Sequence, residues 1–244
     1  MEDIDFTRHA RLCPTLKLGD QAITVTNVKR LDQDRTVYRL EIQPVDGLPS
    51  TVIAKQQKEG WSDEFEKEGA CYEKLKDLQG DKIPLFFGQG YFDGIRALVF
   101  SKVVGTTLLD LARSEKPVDE IKMKEHLAVV FQMLAAREAL YWDQKLDNFF
   151  YCDDGTLDAG KVMVIDLEQV EFPTKFCSWQ PSVNKEGSRA LMEDFRRARR
   201  QYHETCWKYE SDRGSEESPR TIDSNVIPLS MDSRSVEARP HIAA

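Results

Sequence analysis

Two short stretches decide how this chain is interpreted: YWDQKLDNFF, residues 141–150, and VMVIDLE, residues 162–168. The first places Asp143, then a lysine two residues later and an asparagine five residues later, at the edge of an apolar run. The second ends a β-like run on Asp166. Phosphoryl transfer needs a carboxylate to orient the attacking hydroxyl, a cation on the transferred group and oxygen ligands for magnesium. The two stretches therefore predict a phosphoryl-transfer site.

The first stretch resembles the catalytic loop of the protein-kinase-like superfamily, because Asp143, Lys145 and Asn148 fall on the D-x-K-x-x-N part of its pattern. The second resembles the D-F-G strand end, with Asp166 as the aspartate. The resemblance implies that Asp143 and Lys145 are catalytic and that Asn148 and Asp166 hold Mg²⁺. Taken alone, D-x-K-x-x-N also fits a charged turn or helix start, so the order of the upstream elements matters.

Upstream of the loop, β-branched and aromatic runs predict five strands that form an antiparallel sheet. These strands are expected at residues 22–28, 36–42, 51–55, 83–92 and 95–100, after an irregular start. In the resemblance they correspond to the N-lobe sheet, which carries one main helix. The third strand ends on Lys55, as in the V-A-I-K motif, which implies that Lys55 holds the α- and β-phosphates of ATP.

The main helix is predicted over residues 62–78, with Ser62 as its N-cap and apolar residues repeating on one face. Glu68 precedes Tyr72 by four residues and shares that apolar face. We therefore predict that Glu68 pairs with Lys55 across the N-lobe. Glu64 lies one turn earlier and is the alternative partner.

The hairpin before Lys55 departs from the family pattern. Val37 matches the valine that follows the glycine-rich loop, but Arg30, Asp32 and Arg35 occupy the three glycine positions. Glycines serve there because backbone N–H groups approach a phosphate closely only where no side chain intervenes. The segment is therefore either an altered phosphate cover, with Arg35 compensating in part, or an ordinary surface hairpin.

The hinge between the two lobes is expected at residues 101–105, with Phe100 in the gatekeeper position. The resemblance implies that the main chain of Ser101 and Val103 faces the adenine edge of ATP. Adenine contacts of this kind use backbone groups, so the prediction depends on the order of the elements.

Beyond the hinge, the chain is predicted to be mainly helical. A long helix over residues 118–139 carries an apolar stripe from Ile121 to Leu134. Tyr141 and Trp142 replace the His and Arg that usually precede the catalytic Asp, so activation by loop phosphorylation is not expected. Glu168 replaces the glycine of D-F-G and either ligates the metal or is merely solvated.

The predicted fold class is α+β, a bilobal protein-kinase-like fold with a five-stranded N-lobe sheet and a truncated, mainly helical C-lobe. We expect residues 1–100 to form the N-lobe and residues 101–210 the C-lobe, ending in an irregular segment at 172–184 and a charged helix at 186–209. Residues 211–244, rich in Ser, Asp, Glu, Arg and Pro, predict a disordered tail.

Composition limits the partners and the cellular compartment that the chain is expected to have. The chain has 244 residues and a formal charge of −8, which argues against a nucleic-acid partner. Its five scattered cysteines show no C-x-x-C spacing, so a reducing, cytoplasmic or nuclear compartment is expected. The acidic N-terminus and the lack of an apolar run of ~20 residues predict a soluble protein without a membrane partner.

The sequence thus predicts an ATP- and Mg²⁺-dependent kinase whose acceptor is a Ser or Thr hydroxyl of a protein. Two alternatives stay open. The altered glycine-rich loop and the missing D-F-G glycine also fit a pseudokinase or nucleotide-binding scaffold. The short C-lobe also fits a small-molecule kinase similar to the aminoglycoside phosphotransferases.

Overall fold

The computed structural model describes residues 14–31, 36–152, 161–175 and 180–214. Residues 1–204 form one compact unit and residues 205–244 a second. The described part of the second unit is helical. Asp32 and Arg35, and all of the predicted tail beyond Gly214, lie outside the described residues.

The described part of the first unit begins with strands and continues with helices. Its strands are β1 (Thr15–Leu18), β2 (Gln21–Arg30), β3 (Val37–Ile42), β4 (Thr51–Gln56), β5 (Phe86–Phe92), β6 (Ile95–Ser101), β7 (Thr106–Thr107), β8 (Leu140–Tyr141), β9 (Phe149–Cys152), β10 (Lys161–Val164) and β11 (Val170–Glu171). The α-helices are α1 (Ser62–Lys74), α2 (Leu108–Ala112), α3 (Glu120–Ala135) and α4 (Pro181–Gly214), and short 3-10 helices occupy Lys76–Leu78 and Leu146–Asn148.

The N-terminal sheet is a closed barrel of six antiparallel strands in the order β1-β2-β3-β4-β6-β5. The predicted sheet of five strands was wrong in number, because the start of the chain was taken as irregular. Strand β1 pairs with β2 on one side and with β5 on the other. Its four residues carry a single fully buried side chain, Leu16, which is too little alternation to predict a strand.

Alternation along β4 aims Lys55 out of the barrel. Val52, Ala54 and Gln56 are buried, and the side chains between them face the opposite side of the strand. Val52 and Ala54 belong to the apolar interior of the barrel. Gln56 is satisfied there because its Nε2 donates to the Phe92 carbonyl at 2.8 Å. Lys55 therefore projects away from the barrel interior.

Helix α1 presents Phe65, Glu68 and Tyr72 on its buried face, at the spacing of one and two helical turns. Burying a large apolar side chain such as that of Phe65 stabilises the fold by about 1.5–3 kcal/mol. The predicted N-cap was wrong: the capping position is Trp61, which makes no side-chain capping hydrogen bond. The helix is nevertheless held against the sheet by its apolar face.

Helix α3 begins after Asp119, whose carboxylate accepts the N–H groups of Ile121 and Lys122. The predicted apolar stripe is correct for Leu127, Val130, Phe131 and Leu134, which are buried. Ile121 is 73% exposed, so its place in that stripe was wrong. Met123, two residues later, is fully buried, and two helical residues lie about 200° apart around the axis, so Ile121 faces away from the core.

Helix α4 begins at Pro181, within the segment predicted to be irregular, and runs to Gly214. It therefore overlaps the predicted tail by four residues, and the domain boundaries remain predictions. The arginines at 196, 197 and 199 make exposed contacts with Glu120, Asp194 and the Lys116 carbonyl, in agreement with a solvated face. None of the helices in the described ranges is long and apolar enough to cross a membrane.

Candidate active site

A cavity of about 730 Å³ opens between the sheet, helix α1 and the loops after β6 and β8. Its volume lies in the range of roughly 300–1,000 Å³ that is usual for small-molecule sites. Asn148 is the one predicted site residue that does not line it. The predicted residues that do are Val37, Lys55, Glu68, Ser101, Val103, Asp143, Lys145 and Asp166.

Lys55 stands at the centre of three carboxylates. Its Nζ lies 2.6 Å from Glu68 Oε2, 2.7 Å from Asp166 Oδ1 and 3.3 Å from Glu168 Oε2. The predicted ion pair between Lys55 and Glu68 is therefore present, and Glu64 is not the partner. Val37, which faces Lys55 in the register of β3 and β4, forms the adjoining wall.

Burial and charge act against each other at this cluster. Burial by itself lowers the pKa of Lys55, but the carboxylates, Glu68 foremost, outweigh it and hold that pKa above its usual range. Burial raises the pKa of Glu68, the Lys55 ammonium opposes that rise, and the carboxylates of Asp166 and Glu168 add to it. The pKa of Glu68, the most buried of the three carboxyls, is therefore raised above its usual value.

The loop after β8 brings Asp143, Lys145 and Asn148 together. Lys145 Nζ lies 2.7 Å from Asp143 Oδ1, and Asn148 Nδ2 donates to Asp143 Oδ2 at 2.9 Å. Asn148 Nδ2 also donates to the Asp143 carbonyl at 3.0 Å. Both oxygens of the carboxylate are thus oriented, one by a buried amide and the other by an ammonium whose side chain is 58% exposed.

The residues in this region fit a magnesium ion. Asn148 Oδ1 is buried and has no hydrogen-bond partner among the described residues. Leaving such a buried acceptor unsatisfied costs about 1–3 kcal/mol, and a cation removes that cost. The Asn148 carbonyl accepts the Ile165 N–H at 2.9 Å, which ties this residue to the segment that carries Asp166.

Asp166 has a φ of +63°, in the left-handed region that few residues other than glycine adopt. Such backbone strain occurs often at functional sites. Glu68, Asp166 and Glu168 each bring one carboxylate oxygen to within 4.8 Å of the others. Glu168 is therefore a third carboxylate of this cluster, at the position where the resemblance has glycine.

The opposite end of the cavity carries the predicted hinge. The Ser101 N–H donates to the Leu85 carbonyl at 2.9 Å, so this N–H is already engaged within the protein. The Val103 N–H donates to no other group in the part of the chain that the structure describes. Phe100 is buried, with its ring centroid 4.6 Å from that of Tyr72 and 5.4 Å from that of Phe86, and it closes the back of the cavity.

Two polar side chains that were not predicted from the sequence form hydrogen bonds to the loop that carries Asp143. Asn184 of α4 is buried, accepts the Tyr141 N–H at 3.2 Å and donates to the Ala139 carbonyl at 2.7 Å. Gln144 Nε2 donates to the Tyr141 and Val183 carbonyls. These pairs join residues up to 45 positions apart, and no local pattern indicates such a contact.

Tyr141, at the position where the resembled kinase pattern has histidine, supports the same loop in another way. Burial holds the pKa of its phenol well above the usual range, so the hydroxyl stays protonated. It donates to the Ile165 carbonyl at 3.2 Å and so connects the loop to the strand end before Asp166. Trp142 is directed elsewhere, because its Nε1 donates to Glu171 at 3.0 Å.

Comparisons with known proteins give matches in structure alone. No protein-family model matches the sequence. No curated protein matches it either. Crystal structures of the PknI kinase domain from Mycobacterium tuberculosis are similar at 14% identity over 70% of this chain and 72% of that chain, with TM-scores of 0.49 for the kinase domain and for a double mutant and 0.48 for a single mutant. Similarity of this degree says nothing about the chemistry, which depends on the residues of the site.

Proposed function

We propose that this chain is an ATP- and Mg²⁺-dependent phosphotransferase that transfers the terminal phosphoryl group to a Ser or Thr hydroxyl of a protein. One observation carries the proposal: a single cavity is lined both by Lys55, with its carboxylate partners, and by the Asp143–Lys145 pair. A cation for the phosphates and a carboxylate for the acceptor are the two requirements of this reaction. The Val103 N–H supplies a backbone donor for the base at the other end.

Each residue has a distinct task in the proposed reaction. Lys55 orients the non-transferred phosphates, and Glu68 holds Lys55 in place. Asp143 orients the acceptor hydroxyl and takes its proton as the new oxygen–phosphorus bond forms. Lys145, released from Asp143, then offsets negative charge on the transferred group while the bond to the bridging oxygen breaks.

Asn148 and Asp166 would hold magnesium, with Glu168 as an additional oxygen donor. When bound, the ion would supply positive charge that offsets the negative charge of the phosphates and of the leaving group. The buried, unpartnered Oδ1 of Asn148 and the carboxylate of Asp166 are ligand types that magnesium prefers.

A second candidate is a scaffold that binds nucleotide without transferring phosphate. Glu168 favours it, because this extra carboxylate contacts Lys55 at 3.3 Å and competes with a phosphate for the ammonium. A small-molecule acceptor is an alternative within the first candidate and differs only in the hydroxyl that Asp143 orients.

The test compares the wild type with Asp143→Asn, using ATP consumption with a Ser/Thr peptide library and with a set of small hydroxyl compounds. Asp81→Asn, an exposed aspartate outside the cavity, is the matched control. We expect Asp143→Asn to lower turnover at least about 100-fold while ATP binding persists, because the general base is lost. The acceptor set that supports turnover then separates a protein kinase from a small-molecule kinase.

The metal assignment is measured by thermal shift with ATP, with and without Mg²⁺. We expect Asp166→Ala to abolish the additional stabilisation that Mg²⁺ gives to the ATP complex. Equal background consumption by the wild type and Asp143→Asn, together with intact ATP binding, would contradict phosphoryl transfer and support the scaffold. Wild type without any ATP response would contradict both candidates.

A further inference from the structure

The cavity has cationic side chains that are not all engaged in the same way. Arg39 contacts Glu41 at 3.5 Å, Lys55 contacts three carboxylates and Lys145 contacts Asp143. Two others, Lys58 and Lys102, also line the cavity and form no ion pair within the described residues. Among the described residues, an incoming anion meets competition from acids at the three engaged cations and not at these two.

Lys58 and Lys102, the two lysines without an ion pair to a described residue, lie at different ends of the predicted nucleotide site. Lys102 stands between Ser101 and Val103, at the end that contacts the base. Lys58 follows Lys55 by three residues, so their Cα atoms are at most roughly 11 Å apart. Of these two lysines, Lys58 is therefore the one nearer the proposed phosphate region.

Backbone hydrogen bonds fix the segment that carries Lys58. The Gln56 N–H donates to the Thr36 carbonyl and the Gln57 N–H to the Arg96 carbonyl, both at 2.8 Å. The Trp61 N–H donates to the Lys58 carbonyl at 3.1 Å and closes a turn. Lys58 thus extends from an ordered turn that continues β4, directly after Lys55.

Trp61 lies over the same part of the cavity. Its ring centroid is 5.3 Å from Lys58 Nζ, within the range of a cation–π interaction. The side chain is 46% exposed and lines the cavity, so burial in the core does not account for it. Among the neighbouring acids, Glu59, Asp63 and Glu64 do not line the cavity.

We propose that Lys58 binds the terminal phosphates of the nucleotide and that Trp61 positions its ammonium. In this chain a lysine side chain then takes over phosphate binding from the glycine-rich backbone that the hairpin lacks. The inference rests on the proposed function and goes beyond it by assigning the phosphate contact to residues outside the recognised motifs.

The test measures binding of a non-hydrolysable ATP analogue and of adenosine by calorimetry in the presence of Mg²⁺. The variants are Lys58→Met and Lys58→Arg, with Lys67→Met as the matched control, because Lys67 is an exposed lysine of α1 outside the cavity. We expect Lys58→Met to weaken the ATP analogue about tenfold, the loss of one charge-assisted contact, and to leave adenosine unchanged. Lys58→Arg should retain most of the affinity and Lys67→Met all of it.

The positioning role of Trp61 has its own readout. Trp61→Ala should weaken the ATP analogue as Lys58→Met does, and the double variant should lose no more than either single change. Trp61→Phe keeps an aromatic face and should restore the affinity. A double variant with additive losses would overturn the positioning role.

The outcomes separate this inference from the function on which it rests. If the wild type binds the ATP analogue and Lys58→Met binds it equally well, only the role of Lys58 is overturned. The same holds if Lys58→Met weakens the analogue and adenosine equally. If the wild type gains nothing from the phosphates over adenosine, the proposed function and the role of Lys58 are overturned together.

Discussion

At Lys55, one positive charge faces three acids that differ in burial. The Glu68 side chain is 2% exposed, whereas those of Asp166 and Glu168 are 15% and 18% exposed. A charged group loses the most hydration free energy where water is most completely excluded. Burial and the negative charge of the two neighbouring carboxylates therefore raise the pKa of Glu68 and favour its protonated form.

This assignment predicts how stability depends on pH. The pKa of Glu68 is raised in the folded chain above 4.5, its ordinary value, so above pH 4.5 the folded state holds a proton that the unfolded state has lost. The stabilisation from this group is complete below pH 4.5 and declines as the pH rises through the folded pKa. The raised pKa of Lys55 acts only in the alkaline range, above 10.5, and does not interfere.

Urea unfolding of the wild type and of Glu68→Gln, at several pH values between 4.5 and 8, measures the effect. The difference in free energy of unfolding, wild type minus variant, should decrease as the pH rises, because the amide does not titrate. Contributions from acids remote from Glu68 are common to both proteins and cancel. A difference that is constant or grows with pH would show that Glu68 is ionised in the folded chain.

At the scale of elements, helices α3 and α4 meet at Gly187. A Cβ added there would lie 2.5 Å from Cζ of the Phe131 ring, closer than atoms can approach. In an exposed helix, replacing glycine by alanine stabilises by roughly 0.5–1 kcal/mol. Here the ring must move, so we expect Gly187→Ala to destabilise the protein by about 1–3 kcal/mol in chemical unfolding.

A double variant tests whether the Phe131 ring causes the destabilisation. In a Phe131→Leu background the ring is absent, and adding Gly187→Ala should be neutral or stabilising. If Gly187→Ala stabilised the protein with Phe131 intact, close packing of the two helices at this point would be refuted. The result matters for the site, because the same helix presents Asn184 to the loop that carries Asp143.

At the scale of the whole first unit, strand β1 closes the barrel against β5. Gly90 permits this closure: a Cβ there would lie 2.1 Å from the Lys17 carbonyl oxygen. The position of this Cβ is fixed by the Gly90 backbone, and the Lys17 carbonyl belongs to the backbone of the paired strand. No side-chain rotation therefore relieves the clash. We expect Gly90→Ala to part the two strands and to cost about 3 kcal/mol or more of folding free energy.

Gly69→Ala is the matched control for Gly90→Ala. Its new methyl group would lie 2.9 Å from Gln89 Nε2, the end of a flexible side chain that can move aside, and 3.5 Å from Leu98 Cδ2, an ordinary van der Waals distance. Thermal unfolding should separate the two substitutions, and hydrogen exchange should show faster exchange at β1 and β5 in Gly90→Ala alone. Equal stability of the two variants would argue against a closed barrel.

The sequence by itself determined the order of the chemical groups. The local features are a lysine at a strand end, Lys55, a glutamate on the apolar face of the next helix, Glu68, and the spacing of Asp143, Lys145 and Asn148. The periodicity of a strand or a helix decides which way each side chain points relative to its own element. The contact between Lys55 and Glu68 was predictable because alternation in β4 and helical spacing in α1 turn these two side chains toward each other.

The tertiary structure alone decided which distant groups meet. The sixth strand, the support of the loop by Asn184 and the third carboxylate at Lys55 depend on pairings between residues far apart in the chain. The cavity position of Lys58 and Trp61 likewise follows from how α1 packs on the barrel. Such contacts result from the summed burial of many side chains, and no single stretch of sequence encodes that sum.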